Sequence, residues 1–122
     1  MGQQTNVGNQ IRTVETKVMI TIDDIKKWAK PHPATKFTGK GGKQARFGNN
    51  KVEFSIVGGD TGLYGDFVDT FEVAIFDVET KNFITKFFYP EATDDVIGWM
   101  SSKDVEELVN SVVKREDLSI EV

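Results

Sequence analysis

The residues best suited to chemistry lie in a basic, glycine-rich segment over residues 36–51. Glycines separate Lys40 from Lys43, and Arg46 follows three positions later. Glycine lets backbone N–H groups approach a phosphate closely, and the basic side chains supply positive charge. The spacing differs from the Walker phosphate loop, which needs Ser or Thr directly after the lysine. The segment therefore predicts either a nucleic-acid or phosphate site on Lys40, Lys43 and Arg46, or a solvated loop, the usual role of such charge runs.

A second candidate segment, residues 58–66, combines several glycines with Asp60, Tyr64 and Asp66. Carboxylates are the oxygen ligands that calcium and magnesium accept, but the order of residues does not match an EF-hand loop. Long loops often contact ligands or partners. We expect Asp60, Tyr64 and Asp66 to belong to a ligand- or partner-binding loop, with an enzyme site near residues 58–66 as an alternative. No metal and no cofactor are predicted.

The chain offers few groups for nucleophilic or general-base catalysis. His32 is the single histidine; it lies between two prolines and forms no triad pattern with a Ser, Asp or Glu. The sequence contains no cysteine, which removes thiol chemistry and is typical of a reducing compartment. The sequence therefore favours a non-catalytic protein, and no residue is assigned a catalytic role.

Charge divides the chain into two parts. Residues 1–51 carry 10 basic and 3 acidic side chains, whereas residues 52–122 carry 5 basic and 16 acidic ones. The formal net charge of −4 therefore conceals a strong dipole along the sequence. Such asymmetry is typical of a polyanion-binding arm or of two halves that neutralise each other. Because the boundary falls inside a predicted hairpin, we expect neutralisation within the domain or between copies, with polyanion binding as the second hypothesis.

Alternating apolar residues predict two β-hairpins that would position the candidate segments. A turn signal at 48–50 and the alternation from residue 52 onward predict a hairpin over 45–57. Two further runs joined by the polar residues 77–82 predict a hairpin over 66–89. The apolar positions of these two runs are Phe67, Phe71, Val73 and Ile75, then Phe83, Phe87 and Tyr89.

Other segments give weaker signals. Alternation over 13–20 predicts a strand, and alternation after residue 118 predicts either a short edge strand or a frayed end. Residues 92–100 are expected to form a connection, with a turn of helix near its end. Trp28 and Trp99 are expected in or near the core, because large apolar side chains usually lie inward.

Two amphipathic helices complete the predicted fold. Thr21 and Asp24 form a variant of the capping box before a helix over about 22–30, and Ser101 or Ser102 caps a second helix over about 102–115. Residues 1–10 are polar and predict a disordered tail, which leaves a single domain over 11–122. The sequence thus predicts an α+β fold: an antiparallel sheet of about four strands with both helices on one face.

The sequence alone does not identify a function. The favoured hypothesis is a small, non-catalytic binding protein whose partner is another protein or a second copy of the chain rather than nucleic acid. A polar N-terminus and the absence of an apolar run of roughly 20 residues favour a cytoplasmic protein without a membrane segment. Small chains without cysteine are common among accessory proteins of phages and mobile elements, which we keep as an expectation of origin.

Overall fold

The computed structural model describes residues 19–33, 41–59 and 63–121. In these ranges six strands form one antiparallel sheet: β1 (Lys30–Pro31), β2 (Lys43–Gly48), β3 (Val52–Gly58), β4 (Thr70–Asp77), β5 (Val96–Ser101) and β6 (Ser119–Ile120). The helices are α1 (Ile22–Trp28), α2 (Thr85–Phe88) and α3 (Ser102–Val112), with a 3₁₀ turn at Arg115–Asp117. The predicted α+β class with an antiparallel sheet is confirmed, and the sheet has more strands than the four expected.

The strands β1 to β5 lie side by side in chain order, so each one neighbours the next. The short strands β1 and β6 lie end to end along the outer edge of β2. The first predicted hairpin is confirmed, because β2 and β3 pair on either side of the turn after Gly48. The alternation after residue 118 does form a short edge strand, since Ile120 pairs with Phe47.

One face of the sheet forms the hydrophobic core. Side chains directly opposite one another on paired strands point to the same face, and two such rows cross β2, β3 and β4. The rows are Ala45, Ile56 and Val73, then Phe47, Phe54 and Ile75, and all six side chains are buried. Both predicted helices pack on this face through their apolar stripes, which contribute Ile25, Val105, Leu108 and Val109 to the same cluster.

The starts of both helices follow the predicted capping chemistry. The Asp24 N–H donates to Thr21 Oγ1 at 3.2 Å, and the Thr21 N–H donates back to Asp24 Oδ2 at 3.0 Å. At α3 the Asp104 N–H donates to Ser101 Oγ at 3.1 Å. These bonds satisfy N–H groups that the first helical turn leaves without partners. The helices end two to three residues earlier than expected, at Trp28 and Val112.

Polar side chains of α3 hold the chain where it enters α1. Asn110 makes two bonds to the backbone of Ile20: its Oδ1 accepts the N–H and its Nδ2 donates to the carbonyl, both at 2.8 Å. Glu106 Oε2 accepts the Ile22 N–H at 2.7 Å. Arg115 also forms an ion pair with Asp24. The two helices are therefore fixed to each other by directed bonds as well as by apolar contact.

The predicted hairpin over 66–89 is correct in its first strand and turn and wrong in its second strand. Strand β4 forms, and the turn closes where the Asp77 N–H donates to the Asn82 carbonyl at 2.9 Å. Phe83 then makes a single bridge to Phe76, after which the chain turns into the short helix α2. The strand beside β4 is β5, so the predicted connection over 92–100 is also wrong.

The buried hydroxyl of Thr85 helps to explain why β5, and not the segment after Asn82, is the strand beside β4. Its Oγ1 accepts the Ile75 N–H at 3.0 Å and donates to the Asp95 carbonyl at 2.6 Å. The side chain thus satisfies the Ile75 N–H at the edge of β4 and bonds to the carbonyl of Asp95, the residue directly before β5. The pattern of apolar residues carries no information about such a bond, because Thr has the same β propensity whether its hydroxyl bonds or not.

Several predictions concern residues outside the described ranges. These are the tail over 1–10, residues 13–18 of the predicted first strand, and the site residues Lys40 and Asp60. Met19 and Ile20, the described end of that strand, are not in a strand. The division of the chain into a tail and one domain over 11–122 stays a prediction.

We predict that Thr85→Val lowers the free energy of unfolding by about 1–3 kcal/mol, because valine has nearly the same shape but leaves the Ile75 N–H and the Asp95 carbonyl without their partner. Thr85→Ser keeps the hydroxyl and loses one methyl group, so it should cost only about 1 kcal/mol. Urea unfolding followed by circular dichroism measures both. Equal losses in the two variants would show that the hydroxyl does not hold β4 and β5 together.

Candidate functional site

The structure does not bring the predicted basic site residues together. Successive side chains of a strand point to opposite faces, and Lys43 and Arg46 are three positions apart on β2, so they lie on different faces of the sheet. Lys43 borders a cavity together with Lys26 and Lys30. The structure therefore separates Lys43 from Arg46, and their predicted binding roles stay predictions.

Arg46 is neutralised by acidic residues from the second half of the chain. Its Nη2 donates to Glu53 Oε1 at 2.7 Å, and its Nε lies 3.2 Å from Glu121 Oε1 in an ion pair without hydrogen-bond geometry. The bond to Glu53 raises the pKa of Arg46 above its ordinary value, with both carboxylates adding electrostatic attraction. At Arg46 the structure shows the expected neutralisation within the domain, and the predicted binding role of this side chain stays a prediction.

Asp66 organises the loop before β4 through its carboxylate. Its Oδ1 accepts three backbone N–H groups, from Val68 at 2.8 Å, Asp69 at 2.9 Å and Thr70 at 3.0 Å. The Asp66 N–H donates in turn to Thr70 Oγ1 at 3.0 Å. These bonds favour the charged form and hold the pKa of the Asp66 carboxyl far below its ordinary value, the bond from Val68 being the largest cause.

The pH dependence of stability should report this role of Asp66. A pKa that is lower in the folded state stabilises the fold above the ordinary pKa, and the contribution is lost as the pH falls through the lowered folded-state value. We expect Asp66→Asn to unfold at lower urea concentration than the wild type at pH 7, and the difference to shrink steadily below about pH 4. Asp69→Asn is the matched control, because the three bonds end on Asp66. A difference that does not change with pH would contradict the assignment.

Tyr64 is placed by hydrogen bonds that connect the same loop to β4 and β5. The Tyr64 N–H donates to Glu72 Oε1 at 2.9 Å, and the Tyr64 carbonyl accepts the Trp99 N–H at 2.7 Å. A side chain at Gly98 would come within 2.8 Å of Tyr64 Cβ, so the lack of a side chain there lets Tyr64 lie against β5. Tyr64 is thus bonded to both β4 and β5 while its side chain remains exposed.

Trp99 lies beside Tyr64 on an irregularity of β5. The pairing of β4 with β5 shifts between Phe71 and Val73, which leaves one extra residue on β5. Trp99 adopts a φ of 57°, a left-handed conformation that costs a residue with a side chain about 1–2 kcal/mol. Its indole is nevertheless 63% exposed, and Tyr64 is 52% exposed. A strained backbone here presents a large aromatic side chain to solvent, which is a frequent property of binding sites.

Trp99 is the residue that sequence reasoning missed. The expectation that both tryptophans lie in or near the core holds for Trp28, whose ring packs 5.1 Å from that of Phe47, and is wrong for Trp99. A glycine inside an apolar run often marks a β-bulge, so Gly98 was the available signal. The prediction of a connection over residues 92–100 does not use this signal.

The described residues do not form a metal-binding cluster. Among them, no three His, Cys, Asp or Glu side chains come close enough to hold a metal ion. In the same ranges no helix has both the length and the apolar character needed to cross a membrane. Comparison with protein-family models, with curated proteins and with solved structures finds no match for the chain.

We predict that Trp99→Gly leaves the free energy of unfolding unchanged or raises it by up to about 1 kcal/mol, because glycine adopts a positive φ without strain and the indole is mostly exposed. Trp99→Ala should be less stable than Trp99→Gly, since alanine keeps the strain and loses the indole. Urea unfolding of the three proteins measures this. A clear loss of stability in Trp99→Gly would mean that the indole serves packing rather than binding.

Proposed function

We propose that this chain is a non-catalytic protein-binding module that contacts its partner through Tyr64, Trp99 and the outer edge of β5. We call these residues and this edge the β5 surface. The observation that carries the proposal is the strained, exposed Trp99 beside the exposed Tyr64. Tryptophan and tyrosine are enriched among the residues that dominate binding energy at protein interfaces.

The position of β5 in the sheet supports this proposal. Within the described residues β5 pairs with β4 alone, so its other edge has no strand beside it. An edge strand offers backbone donors and acceptors to an extended segment of a partner, while adjacent aromatic side chains provide specificity. The β5 surface combines both kinds of contact.

The charge around the β5 surface indicates the kind of partner. Asp94 and Asp95 are exposed directly before β5, and Glu72 lies beside Tyr64. Complementary charge speeds association and selects partners, so the proposed partner segment is extended, basic and partly apolar. A second copy of the chain fits this description as well as another protein does, because the first half of the sequence carries an excess of basic residues.

The remaining elements of the hypothesis stay proposals. We place the protein inside the cell because the sequence lacks cysteine, and an origin in a phage or mobile element stays a prediction. The enzyme alternative near residues 58–66 loses support from Asp66, whose Oδ1 is occupied by three backbone N–H groups.

Sedimentation velocity and site-specific cross-linking test this function. We expect the wild-type chain either to self-associate as its concentration rises or to cross-link to one partner in its host cell through a photoreactive phenylalanine analogue at position 99. Truncating both aromatic rings, in the double variant Tyr64→Ala and Trp99→Gly, should weaken the association at least tenfold, because two central aromatic anchors are lost.

Phe87 provides the matched control. It is the most exposed aromatic side chain described, at 79%, and it lies on α2 rather than beside Tyr64. Phe87→Ala should leave the association unchanged, and the photoreactive analogue at position 87 should not cross-link. Equal effects at positions 87 and 99, or a strictly monomeric chain without a cross-linked partner, would reject the proposal.

A further inference from the structure

The side chains of β5 follow an order of faces that is the same from either end of the strand. Ile97 and Met100 lie opposite buried core residues of β4, so they belong to the core face of the sheet. Val96 and Ser101, one position further out at each end, therefore point to the opposite face, which we call the outer face. Along the strand the order is thus outer, core, core, outer, with the bulge in the middle.

A strand with this symmetry can pair with a second copy of itself. Residues that lie opposite one another on antiparallel strands point to the same face of the sheet, so core positions must meet core positions. One register satisfies this along the whole strand: Val96 lies opposite Ser101 of the second copy, and Ile97 lies opposite its Met100. A shift by one residue would place core side chains opposite outer ones. Two-fold symmetry repeats each contact twice.

The bulge supplies the contact at the centre of this pairing. Gly98 and Trp99 lie together opposite Glu72 of β4, because β5 has one residue more than β4 between the flanking pairs. In the symmetric register Trp99 of one copy lies opposite Gly98 of the other. The Cβ of Tyr64 occupies the space above that Gly98. The exposed indole of one copy therefore comes against the exposed Tyr64 of the other, and aromatic side chains attract one another in such pairs.

Charged residues just outside β5 favour the same register. Asp94 lies two residues before the strand, and Lys103 lies two residues after it, in the first turn of α3; both are exposed. Antiparallel pairing of two β5 strands brings Asp94 of each copy near Lys103 of the other, where opposite charges attract. In the part of the chain that the structure describes, neither residue takes part in an ion pair. A parallel arrangement would instead bring like charges together.

We propose that the partner at the β5 surface is a second copy of this chain, and that the two β5 strands pair antiparallel with Val96 opposite Ser101. This inference rests on the proposed function, because it assigns an occupant to the β5 surface. The edge of β5 that has no strand beside it among the described residues gains backbone partners, and one sheet runs through both copies. Lys103 supplies the basic group that the proposed partner segment carries.

Disulfide cross-linking tests the register, because the chain contains no cysteine of its own. Residues directly opposite one another on antiparallel strands have Cα atoms about 4.5–5.5 Å apart, which a disulfide can bridge. The double variant Val96→Cys and Ser101→Cys should therefore form a covalent dimer on mild oxidation, seen by non-reducing electrophoresis. Each single variant is the matched control. In this register the two copies of either position lie about 17 Å apart along the strands, so neither single variant should cross-link.

Charge reversal tests the contact outside the strand. In sedimentation velocity, Asp94→Lys and Lys103→Asp should each weaken self-association about three- to tenfold, because each change creates two contacts between like charges. The double variant should return to within about twofold of the wild type, since opposite charges face each other again. Glu79→Lys is the matched control: it reverses an exposed charge in the turn after β4 and should leave self-association unchanged.

The outcomes separate this inference from the proposed function. A monomeric chain that cross-links to another protein through position 99 would overturn the second copy as the partner and leave the β5 surface as a binding site. Self-association without a disulfide in the double cysteine variant, or without recovery in the double charge variant, would overturn the register, as would equal cross-linking of the single cysteine variants. A monomeric chain without a cross-linked partner would overturn both proposals.

Discussion

The hydroxyl group of Thr85 imposes the constraint on which the order of the sheet depends. It is buried between β4 and the residue before β5, and it bonds to the backbone on both sides. A buried backbone group left without its partner costs about 1–3 kcal/mol, so these bonds favour the observed arrangement. In it β5 pairs with β4, and Phe83 and Phe87 remain exposed.

The position of β5 in turn sets the geometry of the β5 surface. Glu72 on β4 accepts the Tyr64 N–H, and the Tyr64 carbonyl accepts the Trp99 N–H of β5. Asp66 fixes the next part of the same loop through its three bonds to backbone N–H groups. The backbone that carries the exposed aromatic side chains is thus held by short polar contacts, which reduces the backbone entropy lost when a partner binds.

The basic residues of the first half of the sequence have different surroundings in the fold. Arg46 reaches diagonally across the β2–β3 pair to Glu53 and also pairs with Glu121 beyond β6, so the pairing of the strands brings both acidic side chains to it. Lys43 is only three positions earlier, but the alternation of the strand places it on the other face, where it borders a cavity with Lys26 and Ala29 of the α1 end. A single basic segment is therefore divided between a neutralised sheet face and a basic cavity.

The sequence by itself determined the elements whose signals are local. The capping residues Thr21 and Ser101, the apolar stripes of both long helices and the alternation of β2, β3 and β4 depend on neighbours within a few positions, and all form as predicted. Tertiary structure alone decided the partner of β4 and the exposure of Trp99. Each of these depends on contacts between segments that are distant in the sequence. Apolar periodicity indicates which residues are buried, but not which element covers them.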